Sequence, residues 1–421
     1  MEPATSTAPA APRNPLTIDH TILAPNSLVL VTGANGLIAS HIIAQLLAAG
    51  FRVRGTVRSL EKSAWLLPLF NGPSFSPSSS SSPSPSSPSG STSPSPSPSS
   101  TSTPPRFELV AVPDMAAPGA FDDAVRGGVA AVAHVASIIW NDGAASADAV
   151  IGPVVAGAVG VLESAAKEPS GSVKRVVYTS SSLAAYTPAV RGDDVDDGGV
   201  GGAAVGEGGV GRGREVSAAT WNEETVRAAY AELGPGAGME AVTRRALDIY
   251  GASKAEAERA VWRWVEEHEG KVGFEVNSVL PNVNFGRSVD PDHQGYPSTI
   301  GWPVMLATGT MPEMLWDAIR PQYWVDVEDT ALLHVAALTR PDIKNRRIFA
   351  FAGRYNWNTL LAALRKMYPE KELYPDRDGL GHDLTRIIDA PWAEQILKDM
   401  GRPGWKSLEQ SLRENLEAVQ V

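Results

Sequence analysis

Apolar and polar positions alternate along this chain in blocks that predict strands and helices in turn. SLVLVTG (27–33) is a continuous apolar run closed by glycine, and ASHIIAQLLAAG (39–50) has helical spacing with a glycine stop. Further strands are predicted at FRVRGTVRS (51–59), FELVAVPDM (107–115), AAVAHVAS (130–137), VKRVVYTSSS (173–182) and FEVNSVLPN (274–282). A helical stretch around Pro153–Lys167 precedes the fifth strand, and a long amphipathic helix over 246–268 precedes the sixth. Strands that are apolar throughout, separated by helices, predict a parallel sheet covered on both faces: a doubly wound α/β (Rossmann) domain with a smaller C-terminal region.

Three stretches break the pattern. Residues 1–25 read as a disordered tail, 71–105 as a Ser/Pro-rich insertion, and the glycine-rich 190–215 as an expanded loop. The expected organisation is therefore a dinucleotide-binding domain over 26–281 and a substrate-binding region over 282–421, with 322–354 returning to the first domain.

Composition narrows the function. A formal net charge of −11 argues against nucleic acid, which requires a clustered basic surface. No apolar run is expected to approach the roughly 20 residues that cross a bilayer, and the N-terminus lacks signal-peptide features. Zero cysteines exclude disulfides and thiolate zinc sites and fit a reducing cytosol, so a cytoplasmic location is expected. The seven histidines show no zinc-site spacing, and no metal is expected.

VTGANGLIAS (31–40) joins the first strand to the first helix, where a dinucleotide pyrophosphate meets a helix N-terminus. Gly33 and Gly36 permit the tight turn, with Asn35, Leu37 and Ile38 around them. An NAD site usually carries an acid near the end of the second strand. Here 53–60 has none, and Arg58 with Lys62 offers the cations a 2′-phosphate requires, which predicts NADP(H). Arg54 reads as solvated surface charge.

Tyr250 and Lys254 share a helix face at i, i+4. A neighbouring ammonium is expected to lower the phenol toward the range useful for proton transfer. TSSS (179–182) closes the fifth strand at the carboxyl edge of the sheet, placing a hydroxyl where it can donate to a substrate carbonyl.

In this order, these segments resemble the extended short-chain dehydrogenase/reductase superfamily. They are more closely similar to the fungal NADPH-dependent aldehyde (carbonyl) reductases, relatives of dihydroflavonol reductases. The resemblance spans about 27–415 outside the insertions, through LVLVTGANGLIASHI, RVRGTVRS, VAHVASI, VYTSSS, YGASKAEAE, VLPNVNFG, PQYWVDVEDTALLHV, YNWNTLLAALRKMYP and GRPGW. It implies Ser181 as catalytic serine, with Ser182 as the alternative, beside Tyr250 and Lys254, both of which also meet the cofactor, Lys254 at the nicotinamide ribose. It also implies Asp114 and Met115 along the adenine, Ala136 and Ser137 beside the ribose and nicotinamide, and Pro281 near the carboxamide. Trp140, Trp302, Ile319 and Gln322 fall in its substrate-lining segments.

The activity implied is NADPH-dependent reduction of a small aldehyde or ketone, by a monomer or homodimer. A nucleotide-sugar epimerase or dehydratase uses the same residues, and a non-catalytic NADP(H)-binding regulator shares the fold.

Overall fold

The computed structural model describes residues 20–73, 105–138, 146–169, 171–189, 214–232, 234 and 238–421. Its strands are β1 (Leu28–Val31), β2 (Arg52–Val57), β3 (Phe107–Ala111), β4 (Val129–His134), β5 (Arg175–Thr179), β6 (Glu215–Val216), β7 (Glu275–Pro281), β8 (Val283–Phe285), β9 (Gln322–Asp326), β10 (Arg347–Ala350), β11 (Gly353–Tyr355) and β12 (Arg386–Ile387). Seven form one sheet in the order β10-β7-β5-β4-β1-β2-β3. Every pairing in it is parallel. This is the predicted doubly wound arrangement. The strand order reverses between β1 and β4, and such a switch point opens a crevice at the strands' carboxyl ends.

The central strands carry apolar residues on both faces because helices cover both. Val29 and Val31 pack into one apolar cluster with the first helix, Leu37–Ala48, while Leu28 and Leu30 pack into a second with Ala147–Ala166. Each such fully buried side chain contributes about 1.5–3 kcal/mol. A smaller sheet, β11-β9-β8, and an aromatic cluster around Trp316, Trp324, Tyr355 and Trp357 make up much of the C-terminal region.

Two expectations about helices are corrected. The helix expected from Pro153 begins at Ala147, where the Ser146 side chain caps it by accepting from the Ala149 amide at 3.3 Å. Pro153 is simply carried inside its second turn. That helix, 20 residues long, is also long and apolar enough to cross a membrane, contrary to the expectation that no run approaches this length. Half of it is buried in the fold, and it packs on Met239–Glu267, the helix that carries Tyr250.

The C-terminal segment is fastened to the Rossmann layer by a buried cation. Lys406 Nζ lies 3.0 Å from Asp326, 2.8 Å from Glu328 and 2.6 Å from Glu414. Its backbone amide donates to Asp329 at 2.8 Å. Gln45, on the first helix, donates to the Glu328 carbonyl at 2.8 Å, so this cluster also braces the helix that follows the glycine turn.

Candidate active site

The turn after β1 needs its glycines. Gly33 has φ +69°, a left-handed value, and a Cβ there would meet the Ala136 Cα at 3.1 Å. A Cβ on Gly36 would sit 3.1 Å from the Gly33 carbonyl oxygen. Gly36 then caps the helix that begins at Leu37, leaving first-turn amides without a side-chain cap. Leu37 is buried and Ile38 half-buried; Asn35 is exposed, its carbonyl accepting from Gln294 Nε2 at 3.2 Å.

Thr32 locks this turn to the end of β4. Its hydroxyl oxygen accepts from the Val135 and Ala136 amides at 3.0 Å each, and it shares a 3.0 Å hydrogen bond with His134 Nδ1. Burial, reinforced by Lys254, pulls the His134 imidazole down to about 3, so it stays neutral. One residue beyond Ala136, the Ser137 hydroxyl is buried without a hydrogen-bond partner. A buried unpaired hydroxyl beside close-approach glycines fits a polar ligand such as a dinucleotide.

Arg58 and Lys62 are both exposed just past β2, and among the described residues no carboxylate pairs with either. Arg54 differs from the expectation of solvated charge. Its side chain is only 15% exposed, pairs with Glu108 at 2.7 Å and donates to the Ala124 carbonyl at 2.9 Å. Strand alternation turns it against β3, where it ties neighbouring segments together. Asp114 is exposed and its carboxylate accepts from the Ala116 amide at 2.9 Å; Met115 fills the space that a Gly157 side chain would take.

At the end of β5 the three serines have different partners. Ser180 Oγ donates to Glu258 at 2.8 Å, whereas Ser181 Oγ accepts the Leu183 amide at 3.3 Å and acts to lower the Tyr250 phenol. Ser182 is buried and opens a short 3-10 turn. Lys254 is buried and its Nζ donates to the Thr179 carbonyl at 3.1 Å. Ser181, Tyr250 and Lys254 thus meet at the carboxyl end of β5.

The expected lowering of the phenol is not found. Burial pushes Tyr250 above its ordinary value, and Ser181 acts in the opposite direction without reversing this. Lys254, bound to the Thr179 carbonyl, is desolvated as well. Burial lowers it to about 8, while the carboxylate of Glu258 acts to raise it.

Pro281 ends β7 in register with Ala350, and Asn282 beyond it donates to the Tyr186 hydroxyl at 3.1 Å. Trp302 stacks edge-on against Trp357 with centroids 5.7 Å apart, and Ile319 is buried in the same cluster. Leu247, one helical turn before Tyr250, packs against that cluster too. Gln322 opens β9 with its amide on the Arg320 carbonyl at 3.2 Å. Trp140 lies outside the described residues.

Thr32, Gln294 and Glu258 were not singled out from the sequence. Only Glu258 carries a readable signal: an acid one turn beyond Lys254 and two beyond Tyr250 on the same face. Among the described residues no three His, Cys, Asp or Glu side chains group as a metal site.

The NAD dependent epimerase/dehydratase family model matches residues 29–197. Over 399 residues the chain is 36% identical to aldehyde reductase 2 of Sporidiobolus salmonicolor, covering 94% of this chain and 97% of that protein. It is 33% identical over 399 residues to the ketoreductase adrE of Penicillium rubens, covering 93% and 96%. Among solved structures it is similar to yeast methylglyoxal/isovaleraldehyde reductase Gre2 complexed with NADPH, with TM-score 0.66, 22% identity, and 93% and 97% coverage.

Proposed function

The chain belongs to the extended short-chain dehydrogenase/reductases, within the NAD-dependent epimerase/dehydratase family, and from that premise we propose that it reduces an aldehyde or ketone to the alcohol with NADPH. The observation that carries this reading is the Lys254–Thr179 hydrogen bond, which holds the helix of Tyr250 against the strand end that bears Ser181. NADPH, when bound, supplies the hydride to the carbonyl carbon.

The protein's own groups do the rest. Ser181 donates to the carbonyl oxygen and stabilises the charge that develops there. Tyr250, kept protonated by its burial, gives its proton to that oxygen as the alcohol forms. Lys254 fixes the strand end through the Thr179 carbonyl and would hold the nicotinamide ribose. Gly33, Asn35, Gly36, Leu37 and Ile38 would hold the pyrophosphate. Arg58 and Lys62 would hold the 2′-phosphate, Asp114 and Met115 the adenine side, and Ala136, Ser137 and Pro281 the ribose and nicotinamide side. Trp302, Ile319 and Gln322 are proposed to border the substrate, which suits an apolar carbonyl compound.

Support comes from two directions. Aldehyde reductase 2 and ketoreductase adrE carry carbonyl reduction in their names, and Gre2 was solved with NADPH. Arg58 and Lys62, exposed after β2 and without a carboxylate partner among the described residues, favour NADPH over NADH, which weighs against an epimerase that keeps NAD. A cytoplasmic monomer or homodimer belongs to the same proposal. The test is NADPH oxidation, followed at saturating cofactor, over a panel of aldehydes, ketones and keto esters. Turnover with at least one class, and slower turnover with NADH, is expected; no oxidation across the panel would overturn the reading.

A further inference from the structure

Glu258 is fully buried, yet it receives more hydrogen bonds than any single structural purpose on its own helix would require. Its two oxygens accept from Arg347 Nε at 2.9 Å and Arg347 Nη2 at 3.0 Å, a bidentate pair with a guanidinium that is itself only 6% exposed. They also accept from Ser180 Oγ at 2.8 Å, Ser278 Oγ at 2.6 Å and Trp262 Nε1 at 3.3 Å. The donors come from the ends or middles of β5, β7 and β10 and from the helix itself. Arg347 is held in turn by the Ala218 and Thr220 carbonyls at 2.9 and 2.7 Å, and its guanidinium lies 4.0 Å from the Trp221 ring centroid.

This arrangement reaches the reacting groups by two routes. Ser180 precedes Ser181, and its amide is already fixed to the Val279 carbonyl at 2.8 Å. With Lys254 on the Thr179 carbonyl and Glu258 on the Ser180 hydroxyl, two consecutive residues of the strand end are fastened to two consecutive turns of the helix that carries Tyr250. The second route is charge. The Lys254 ammonium faces neutral His134 from β4 and the Tyr178 ring, 5.6 Å away, from β5; Tyr250 lies one turn back on its own helix, and His334 bonds the Thr179 hydroxyl at 2.8 Å. None of these brings a negative charge. Among the described residues, Glu258 is the group whose charge acts to keep Lys254 protonated against its burial.

We propose that the buried Glu258–Arg347 pair is the positioning element of the active site, setting Ser181 against Tyr250 through Ser180 and placing a carboxylate one helical turn from Lys254. Neither residue touches the substrate. The pair acts through its neighbours, and a displacement of the order of 1 Å at the reacting atoms costs on the order of 10²-fold in rate. The proposal rests on the nicotinamide chemistry assigned to this site.

Two variants separate the routes. Glu258→Gln removes the charge and keeps the shape; Ser180→Ala cuts the tether and keeps the charge. NADPH affinity is read by fluorescence titration from pH 6.5 to 9.5, with kcat measured alongside and circular dichroism as the check on folding. Glu258→Gln is expected to move the alkaline loss of NADPH affinity down by about one pH unit or more. Ser180→Ala is expected to leave that midpoint in place and lower kcat about tenfold. A folded Glu258→Gln protein with the wild-type midpoint, or a Ser180→Ala protein with wild-type kcat, overturns the inference. If Glu258→Gln does not fold, Ser180→Ala decides alone: the tenfold fall supports the tether and its absence overturns it. Wild-type protein that binds NADPH but reduces no carbonyl would instead overturn the proposed function, while the midpoint comparison would still judge Glu258.

Discussion

Lys254 Nζ donates to the carbonyl oxygen of Thr179 at 3.1 Å, across 75 positions of sequence, and so joins the helix of the proposed proton donor to the strand of the proposed oxyanion donor. A lysine that serves this contact is buried, and burial sets its protonation near working pH.

The pH dependence follows from that burial. Lys254 is lowered to about 8 from an ordinary 10.5, first by desolvation and with Glu258 opposing, while Tyr250 is raised above 10 by desolvation. At pH 7 the lysine is charged and the phenol carries its proton. As pH rises through about 8 the ammonium is lost before the phenol ionises. The expected profile of kcat/KM for NADPH, which reports the free enzyme, is flat near pH 7 and falls above about pH 8. A plateau extending to pH 10 would contradict it.

Cofactor choice rests on Arg58 and Lys62. Arg58→Asp removes one cation and puts an acid where an NAD site carries one. NADPH affinity should fall by at least about tenfold, equivalent to about 1.4 kcal/mol, with NADH affinity little changed. Fluorescence titration of both dinucleotides measures this. Equal losses would assign Arg58 to general surface charge.

Asp329 gives a stability prediction. Burial first, and Asp326 second, raise it to about 7 from an ordinary 3.8. The unfolded carboxyl ionises near pH 4 while the folded one keeps its proton until about pH 7, so stability falls as pH rises across that window. Asp329→Asn keeps an acceptor for the Lys406 amide and removes the charge. Its melting temperature should exceed that of wild type at pH 8, with the advantage shrinking toward pH 4.5. A difference independent of pH would contradict the buried titration.

Much of the Rossmann layer was legible in the sequence because its strands are buried on both faces and read as unbroken apolar runs. β1, β2, β3, β5 and β7 fall within predicted segments, and β4 begins one residue before its own. Strands of two or three residues, such as β8 and β11, are too short to show a period and are held by their neighbours instead. The start of the long helix was missed at Met239 because its first turns carry mixed charge, with Glu240 paired to Arg244 at 3.3 Å. In the candidate site, spacing alone brought Tyr250 and Lys254 to one face and TSSS to the strand end, and the resemblance chose Ser181 among the three serines. Spacing could not give the direction of the phenol's shift, which depends on desolvation. Glu258 and Lys406 were hidden for a related reason. A charged residue in a sequence reads as solvent-facing, and only the fold reveals a buried partner across tens of residues.

The central claim is that Tyr250 delivers the proton to a carbonyl oxygen during hydride transfer. It is tested most directly by comparing wild type and Tyr250→Phe in NADPH oxidation with the best carbonyl substrate from the panel, alongside NADPH titration. Phenylalanine keeps the ring and removes only the hydroxyl. The expected result is a kcat lower by about 10²–10⁴-fold with NADPH affinity within about threefold of wild type. Wild-type turnover in the Tyr250→Phe protein would contradict it.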